Sequence, residues 1–261
     1  MNDSEERETL AEGSLISHLV ELRSRLMRAV IAVFIVFIPC AMYSEKLFTL
    51  VALPLIEKMP QGTSMIATSI VAPFMAPLKL ALLVAVFLAM PFVLYQVWAF
   101  VAPGLYRHEK RFAVPLVVSS IVLFYAGVAF AYFVVFPLMF AFLTSAAPQG
   151  VQVMTDMTNY LDFVLLLFFA FGIAFEIPIA TVLLASTGMM KIEAMTKNRG
   201  YVILGIFIVA AFLTPPDAVS QCFMAVPMYL LYELGIVMSR ILLKKKLEQQ
   251  RQEETAENNE A

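Results

Sequence analysis

Six long apolar runs are the feature that most limits what this chain can fold into. They cover residues 26–43, 74–101, 112–137, 160–187, 201–213 and 218–243. A helix of about 20 apolar residues crosses the hydrocarbon core of a bilayer, and backbone polar groups cannot stay unpaired in lipid. We therefore predict an all-α, polytopic membrane protein in which six transmembrane helices form a single domain over residues 1–261.

Composition and motifs narrow the class of function. Only 15% of the residues are charged while 61% are hydrophobic, and a soluble domain carries about 25% charged residues. No basic face is dense enough to bind nucleic acid. The only two histidines are His18 and His108, and the sequence has no metal-binding cysteine cluster and no nucleotide-binding glycine loop. We expect no catalytic residues, no metal and no cofactor, so the chain is not expected to be an enzyme.

The positions of lysine and arginine predict the orientation. Fifteen of the 18 lie in the N-terminal segment, in alternate loops and in the C-terminal segment, while the other three are Lys46, Lys58 and Lys79. Basic residues concentrate in cytoplasmic loops, so both ends are predicted to lie in the cytoplasm. We expect the polar residues 1–13 and the charged tail 245–261 to be flexible, and we see no cleaved targeting segment.

The fifth apolar run is short and ends at a turn with the sequence Thr-Pro-Pro-Asp, residues 214–217. Thr214 is predicted to cap the next helix, with Pro215 at its first position and Asp217 as a capping-box acid. Helices five and six should thus form a hairpin shorter than the bilayer is thick. Prolines inside most of the other runs predict kinks, and loop 44–73 is expected to form short helices that cap the bundle.

Acids inside the apolar runs are candidates for function, because a charge at mid-membrane costs roughly 3 kcal/mol. Glu176 lies deep in the fourth run, two residues before Pro178, and Glu233 lies in the sixth run nearer its cytoplasmic end. Asp162 follows Asn159, a predicted helix cap, and is interpreted as structural. The two cysteines, Cys40 and Cys222, are expected to pack as small apolar groups rather than to form a disulfide. A role for either cysteine does not follow from the sequence.

Two segments at the predicted cytoplasmic face hold further candidates. In residues 18–26, Glu21 and Arg25 are spaced for a pair along one helix face, and the arginines also satisfy the positive-inside rule. In residues 95–111, an aromatic belt and a Pro-Gly turn precede a basic loop. This local interpretation leaves Glu109 unexplained, because it is an acid in a loop that the topology requires to be positive.

These segments together resemble the TatC family, the multi-spanning component of the twin-arginine protein translocase. The matching pieces occur in family order. They are His-Leu-Val-Glu-Leu-Arg-Ser-Arg-Leu at 18–26, Tyr-Gln-Val-Trp-Ala-Phe at 95–100, Pro-Gly-Leu-Tyr at 103–106 with Glu-Lys-Arg at 109–111, Phe-Gly at 171–172 with Phe-Glu-Ile-Pro at 175–178, and Thr-Pro-Pro-Asp at 214–217 with the glutamine at 221. The resemblance covers nearly the whole chain, except for the acidic N-terminus and the tail.

The resemblance implies a receptor for signal peptides that carry two consecutive arginines. Such a receptor starts the export of folded proteins across the bacterial plasma membrane with the proton-motive force. By analogy with the family, Glu21 and Glu109 bind the two guanidiniums, and Phe100 lines a groove for the apolar part of the peptide. Arg23 either orients Glu21 or contacts lipid phosphate. The chemistry suits this assignment, because arginine stays protonated and its planar fork matches a carboxylate.

The resemblance also implies partners. The single-span subunits TatA and TatB are expected along helices five and six, where Thr214 and Gln221 could hydrogen-bond to a partner helix, and self-association is expected. Glu176 is the candidate for a proton-linked role or for a polar anchor, and the sequence leaves both open. Pro54 and Phe74 match positions in the outer cap of the family, although residues 69–73 lack the acid that many relatives carry there.

Two rival functions remain open from the residues alone. A proton-coupled small-molecule transporter would fit Glu176 and the broken helices, but such carriers often contain internal repeats and none is visible. A membrane-embedded enzyme would need a convergent nucleophile, base or metal ligands, which the sequence does not offer. Capture of a twin-arginine peptide beside a twin-lysine control separates the receptor from both rivals.

Overall fold

Residues 3–50, 66–105, 113–145, 156–214 and 217–260 are described by a computed structural model of the chain. The backbone of these ranges is almost entirely helical. The helices are α1 (Asp3–Met42), α2 (Ala72–Leu105), α3 (Ala113–Phe130), α4 (Phe136–Ser145), α5 (Met157–Ala174), α6 (Ile177–Ser186), α7 (Ile192–Lys197), α8 (Arg199–Leu213) and α9 (Ala218–Glu260). A π-helical segment, Ala131–Val135, joins α3 to α4. The predicted all-α class is confirmed.

Among the described residues, five segments are long and apolar enough to cross a membrane, and they agree with five of the six predicted runs. They are Ser17–Met42, Ala72–Val101, Val114–Phe142, Met157–Ser186 and Ala218–Lys244. The remaining run forms the shorter apolar helix Arg199–Leu213, so the prediction of a short fifth helix is confirmed. The backbone of α1 and α9 is helical to Asp3 and Glu260, while the flexibility expected of both ends stays a prediction.

The chain divides into two compact units. The first unit comprises Met1–Ile121 and Met154–Asp162, and the second comprises Val122–Val153 and Phe163–Ala261. This division does not test the prediction of a single domain over residues 1–261, which stays a prediction.

In the first unit, α1 packs against α2 through small side chains. Cys40 is buried against Ala81 and Ala85, and all three are small enough to let the two helices approach closely. Near the other end of α2, the Trp98 indole Nε1–H donates to the hydroxyl of Ser120 on α3 at 2.7 Å. Because a buried indole N–H needs a partner, this bond fixes α2 against α3.

Polar side chains near the start of α5 make hydrogen bonds within the first unit. Asp156 Oδ1 accepts the backbone N–H groups of Thr158 and Asn159, both at 3.0 Å, so Asp156 is the N-cap of α5. The prediction that Asn159 is the cap is therefore wrong. Asp162 accepts two hydrogen bonds from the Lys79 ammonium at 2.9 and 3.0 Å, which confirms that it has a structural contact.

In the second unit, glycines let helices touch backbone to backbone. A Cβ built on Gly127 would lie 2.5 Å from the carbonyl oxygen of Phe171, and one built on Gly235 would lie 2.9 Å from Cα of Pro178. Both distances are shorter than any that real Cβ atoms adopt. These two glycines therefore hold α3 against α5 and α6 against α9.

The fourth predicted span is broken where its proline predicts a break. Residues 175 and 176 form a turn between α5 and α6, and Glu176 is the residue before the first turn of α6. Pro178 lies in that first turn, where its missing N–H costs no hydrogen bond. The π-helical segment before Pro137 is a similar adjustment in the third span, and it had not been predicted.

The loop between α1 and α2 is described in part. Residues 44–50 are helical, in line with the short helices expected there, and Ile66 pairs with Asp156 in an isolated parallel bridge. Phe74 lies on the first turn of α2 and is exposed. Pro54 lies outside the described residues.

Both cysteines are free thiols. Cys40 is buried, as expected of a small apolar side chain. Cys222 is exposed on α9, so the expectation that it packs inside the chain is wrong.

Candidate functional site

The carboxylate of Glu21 is held in one orientation by an arginine one helical turn further along α1. The Nε and Nη2 groups of Arg25 donate to Glu21 Oε1 at 2.8 and 2.6 Å. The side chain of Glu21 is 38% exposed and that of Arg25 is 21% exposed. Both bonds end on Oε1, so Oε2 is the oxygen through which Glu21 can accept a bond from a ligand.

The residue that orients Glu21 is Arg25 and not Arg23, so the earlier assignment of that role to Arg23 is wrong. Side chains two residues apart point to different faces of a helix, whereas those four apart share one face. Arg23 is exposed. Arg25 also reaches across to α2, where its Nη1 lies 3.5 Å from Oε1 of Gln96, a long and weak hydrogen bond.

Close to Glu21, the ring of Phe100 on α2 stacks on the ring of His18 on α1. The two ring centroids are 4.2 Å apart and the ring planes are inclined by 21°. His18 lies one turn before Glu21 on α1, and Phe100 lies one turn after Gln96 on α2. His18, Glu21 and Arg25 on α1 and Gln96 and Phe100 on α2 therefore form one layer where the two helices face each other.

Exposed apolar side chains lie on the same stretch of α1 as the carboxylate, but on another face of the helix. Leu19, Leu22 and Leu26 on α1, together with Val97 on α2, are all well exposed. An acid on a helix that also has an exposed apolar face suits a ligand that combines a cation with an apolar stretch. Glu109, the second carboxylate of the predicted site, lies outside the described residues.

A second polar cluster lies in the other unit and contains Glu233. Arg199, the first residue of α8, approaches it with two nitrogens, Nε at 2.6 Å from Oε1 and Nη2 at 2.7 Å from Oε2. The Tyr229 hydroxyl donates to Oε1 at 2.7 Å from one turn earlier on α9. This ion pair, with one hydrogen bond from Nη2 to Oε2, fixes the start of α8 on α9. It is a structural contact that the sequence did not reveal.

Glu176 stands at the break between α5 and α6. Its backbone N–H donates to the carbonyl of Ile173 at 2.9 Å, and its own carbonyl accepts from the N–H of Ala180 at 2.9 Å. Its side chain is half-buried and makes no capping bond to α6. The prediction that Glu176 has an intramembrane role remains a prediction.

The residues at the turn between α8 and α9 have different roles from those predicted. The hydroxyl and the backbone N–H of Thr214 both donate to the carbonyl of Ala210, at 2.8 and 2.9 Å, so Thr214 ends α8. Asp217 Oδ1 accepts the backbone N–H of Ser220 at 2.7 Å and is therefore the N-cap of α9. The prediction that Thr214 is this cap is wrong, and Asp217 takes its place. Gln221 lies one turn further on, with a half-buried side chain.

A groove between α8 and the helices α5 and α6 has an open apolar surface. Its volume is about 510 Å³, and Ile173, Ile177, Gly205 and Val209 are among the residues that line it. Apart from the backbone of its own helix, no atom of the described residues lies within 4 Å of a Cβ built on Gly205. A small residue on such a surface lets another helix approach closely.

Asp156 is a polar residue that sequence reasoning missed. Besides capping α5, its Oδ2 accepts the backbone N–H and the hydroxyl of Thr68 at 3.0 and 2.7 Å. Hydrogen bonds from Asn159 and Thr68 lower the pKa of this carboxyl to about 2. An Asp just before an apolar run is a helix-start signal that could have identified the cap, but nothing in the sequence indicated Thr68, 88 residues away.

The comparison with protein families decides the identity of the chain. Residues 17–227 match the family model described as Sec-independent protein translocase protein (TatC). The chain belongs to the TatC family. The matched residues include Glu21, Phe100, Glu176 and Gln221, whereas Glu233 lies beyond them. The resemblance drawn from the sequence motifs is thus confirmed.

Relatives of this TatC-family chain match it over most of their length. It is 55% identical over 222 residues to the Sec-independent protein translocase protein TatC of Azotobacter chroococcum mcd 1, with 85% of this chain and 87% of that protein covered. It is 52% identical over 231 residues to the TatC protein of Escherichia coli (strain K12), with 88% and 90% covered.

A solved structure shares the fold. The crystal structure of a "Twin Arginine Translocase Receptor- TatC" superposes with a TM-score of 0.78 at 37% sequence identity, and the match covers 86% of this chain and 98% of that one. The chain is therefore a component of a protein translocase and a membrane protein, and the function of its family is transport rather than catalysis.

Proposed function

We propose that this TatC-family chain is the receptor subunit of a twin-arginine translocase. It binds signal peptides with two consecutive arginines at its cytoplasmic face and starts the export of folded proteins across the bacterial plasma membrane, driven by the proton-motive force. The observation that carries the proposal is the oriented, half-exposed carboxylate of Glu21, on a helix that also exposes leucines on another face. The solved relative with a TM-score of 0.78 is itself named a twin-arginine translocase receptor.

Glu21 binds one guanidinium of the peptide through Oε2, while Arg25 holds Oε1. Because Arg25 is itself a cation, it partly neutralises Glu21 and weakens attraction to a lone charge. A second carboxylate is then needed to grip an arginine pair, and Glu109 is the acid we propose for that role. The ring of Phe100, which stacks on His18, contacts the apolar stretch that follows the arginines.

The proposed topology has six spans with both ends in the cytoplasm. It is supported by five long apolar helices and one short one, and by the distribution of lysine and arginine. The short α8 spans with α9 as a hairpin that thins the bilayer locally.

The single-span subunits TatA and TatB dock along α8 and α9. The support is the apolar groove of about 510 Å³ between α8 and the helices α5 and α6, which Gly205 of α8 lines. Gln221, which is half-buried, offers hydrogen bonds to a polar side chain on a partner helix, whereas the side chain of Thr214 is buried within the chain and less accessible to a partner. Thr214 offers no donor, because its hydrogen already goes to Ala210.

The experiment is capture of a twin-arginine peptide by the purified chain in detergent, beside the same peptide with two lysines. We expect the wild type to prefer arginine. Glu21→Gln should weaken capture of the arginine peptide about tenfold or more, since a hydrogen bond to a charged group contributes about 1.5–3 kcal/mol. Glu193→Gln on α7 removes an exposed acid outside the site and is the matched control.

Two results would count against the receptor function. One is equal capture of both peptides by the wild type. The other is unchanged arginine preference in the double variant Glu21→Gln, Glu109→Gln when circular dichroism shows it to be folded.

A further inference from the structure

A cavity with basic walls lies between α7 and the end of the apolar part of α9. Its volume is about 650 Å³, and three of the residues that line it are cations, Lys197, Arg240 and Lys244. The acid Glu193 also lines it. With three cations and one acid, the wall of the cavity attracts an anion.

The guanidinium of Arg240 is oriented across the cavity. Its Nη2 donates to the hydroxyl oxygen of Thr196 at 3.0 Å. The same hydroxyl donates its hydrogen to the carbonyl of Ile192 at 2.9 Å, so its lone pairs point towards Arg240. The contact fixes the side chain while its other N–H groups remain available to a planar or tetrahedral anion.

The position of the cavity along α9, relative to the end of the apolar segment, indicates which kind of anion it binds. The apolar segment of this helix ends at Lys244, so Arg240 lies one turn inside its end and Lys244 at the boundary. Lipid phosphates lie at the edge of the hydrocarbon core. The apolar side chains of Ile192 and Leu243 share the wall with the cations, which suits a ligand with a charged head and apolar chains.

We propose that this cavity binds the head group of an anionic phospholipid. Arg240 and the two lysines bind the phosphate, and Leu243 contacts the first methylenes of the acyl chains. Cation-lined cavities between helices at a membrane surface bind anionic lipid head groups in this way. The proposal is independent of signal-peptide recognition, because none of these residues belongs to the layer around Glu21.

Native mass spectrometry of the purified full chain in detergent tests the proposal, with palmitoyl-oleoyl phosphatidylglycerol or the matching phosphatidylcholine added at equal concentration. We expect the wild type to retain phosphatidylglycerol in preference to phosphatidylcholine. Arg240→Gln should weaken retention roughly fivefold, the effect of about one cation near an anionic lipid surface. Glu193→Gln should strengthen retention, because it removes the one acid of the wall.

Lys191→Gln is the matched control, since it removes an exposed cation just before α7 that does not line the cavity. Its retention of phosphatidylglycerol should equal that of the wild type. The proposal is overturned if Arg240→Gln and Lys191→Gln behave alike, or if both lipids are retained equally. It is also overturned if inorganic phosphate at millimolar concentration displaces the lipid, since the cavity would then be a site for soluble anions.

Discussion

The ion pair between Arg199 and Glu233 should stabilise the second unit by an amount that a double-mutant cycle can measure. The variants are Arg199→Gln, Glu233→Gln and the two together. Each single variant leaves one charge without its partner, whereas the double variant leaves none. We therefore expect the double variant to lose less free energy of unfolding than the sum of the two single losses.

The distances within the ion pair set the size of the expected coupling free energy. Two nitrogens of the guanidinium lie 2.6 and 2.7 Å from the two carboxylate oxygens, so the charge centres are about 4 Å apart and attract by about 4 kcal/mol at an effective dielectric constant near 20. The side chains of Arg199 and Glu233 are 40% and 25% exposed, so solvent screening and the cost of desolvation reduce this figure. A coupling free energy of about 1–3 kcal/mol remains.

The assay is reversible unfolding by sodium dodecyl sulfate in mixed micelles, followed by circular dichroism at the helix band. Tryptophan fluorescence is unsuitable, because the one tryptophan, Trp98, lies in the first unit. Tyr229→Phe is a useful companion, since it removes one hydrogen bond to Glu233 and should cost about 1 kcal/mol. The expected coupling would be refuted if the loss of unfolding free energy in the double variant equalled the sum of the two single losses to within about 0.5 kcal/mol. Such additivity means that Arg199 and Glu233 do not interact.

Two further predictions test packing and pH dependence. Gly127→Ala should destabilise the chain by about 1–3 kcal/mol, because the new Cβ would lie 2.5 Å from a backbone oxygen. Gly205→Ala is the control and should be neutral or stabilising, because no atom of the described residues outside its own helix backbone lies within 4 Å of the new Cβ. Equal unfolding temperatures for the two variants would contradict the packing of α3 on α5. The pKa of Asp156 is lowered from 3.8 to about 2 in the folded chain, so its contribution is complete above pH 3.8 and is lost as the pH falls through 2. The unfolding temperature of wild type should therefore exceed that of Asp156→Asn at neutral pH and converge with it near pH 2, and a constant difference over that range would contradict the assignment.

Much of the fold could be predicted because its signals are local. Apolar runs identify membrane-crossing helices by length alone, and each of the six runs corresponds to an apolar helix or a pair of helices in the structure. The break at Glu176 follows from Pro178, which removes a hydrogen bond inside a helix but fits its first turn. The short α8 follows from the Pro-Pro sequence that ends the fifth run.

Two of the errors concern caps, where several polar residues compete within a few positions. Thr214 and Asn159 were both plausible caps, but Asp217 and Asp156 take those roles. A carboxylate at the N-cap also interacts favourably with the helix dipole, which the hydropathy of the neighbouring runs does not reveal.

The candidate site could be predicted in its residues but not in its contacts. Family motifs identified Glu21 and Phe100, while the helical spacing alone identified Arg25 as the neighbour of Glu21. The partners on α2 could not be inferred, since Gln96 is 71 positions from Arg25 and nothing in the local sequence joins them. The Arg199 partner of Glu233 escaped notice for the same reason.

The central claim is that a pair of carboxylates holds the two arginines of the signal peptide. The most direct measurement is a cryo-electron microscopy map of the chain with such a peptide bound. We expect each guanidinium to lie within about 4 Å of a carboxylate oxygen, with one arginine on Glu21 and the other on Glu109. A map that places both arginines away from these two residues would contradict the account, while leaving the helical architecture unchanged.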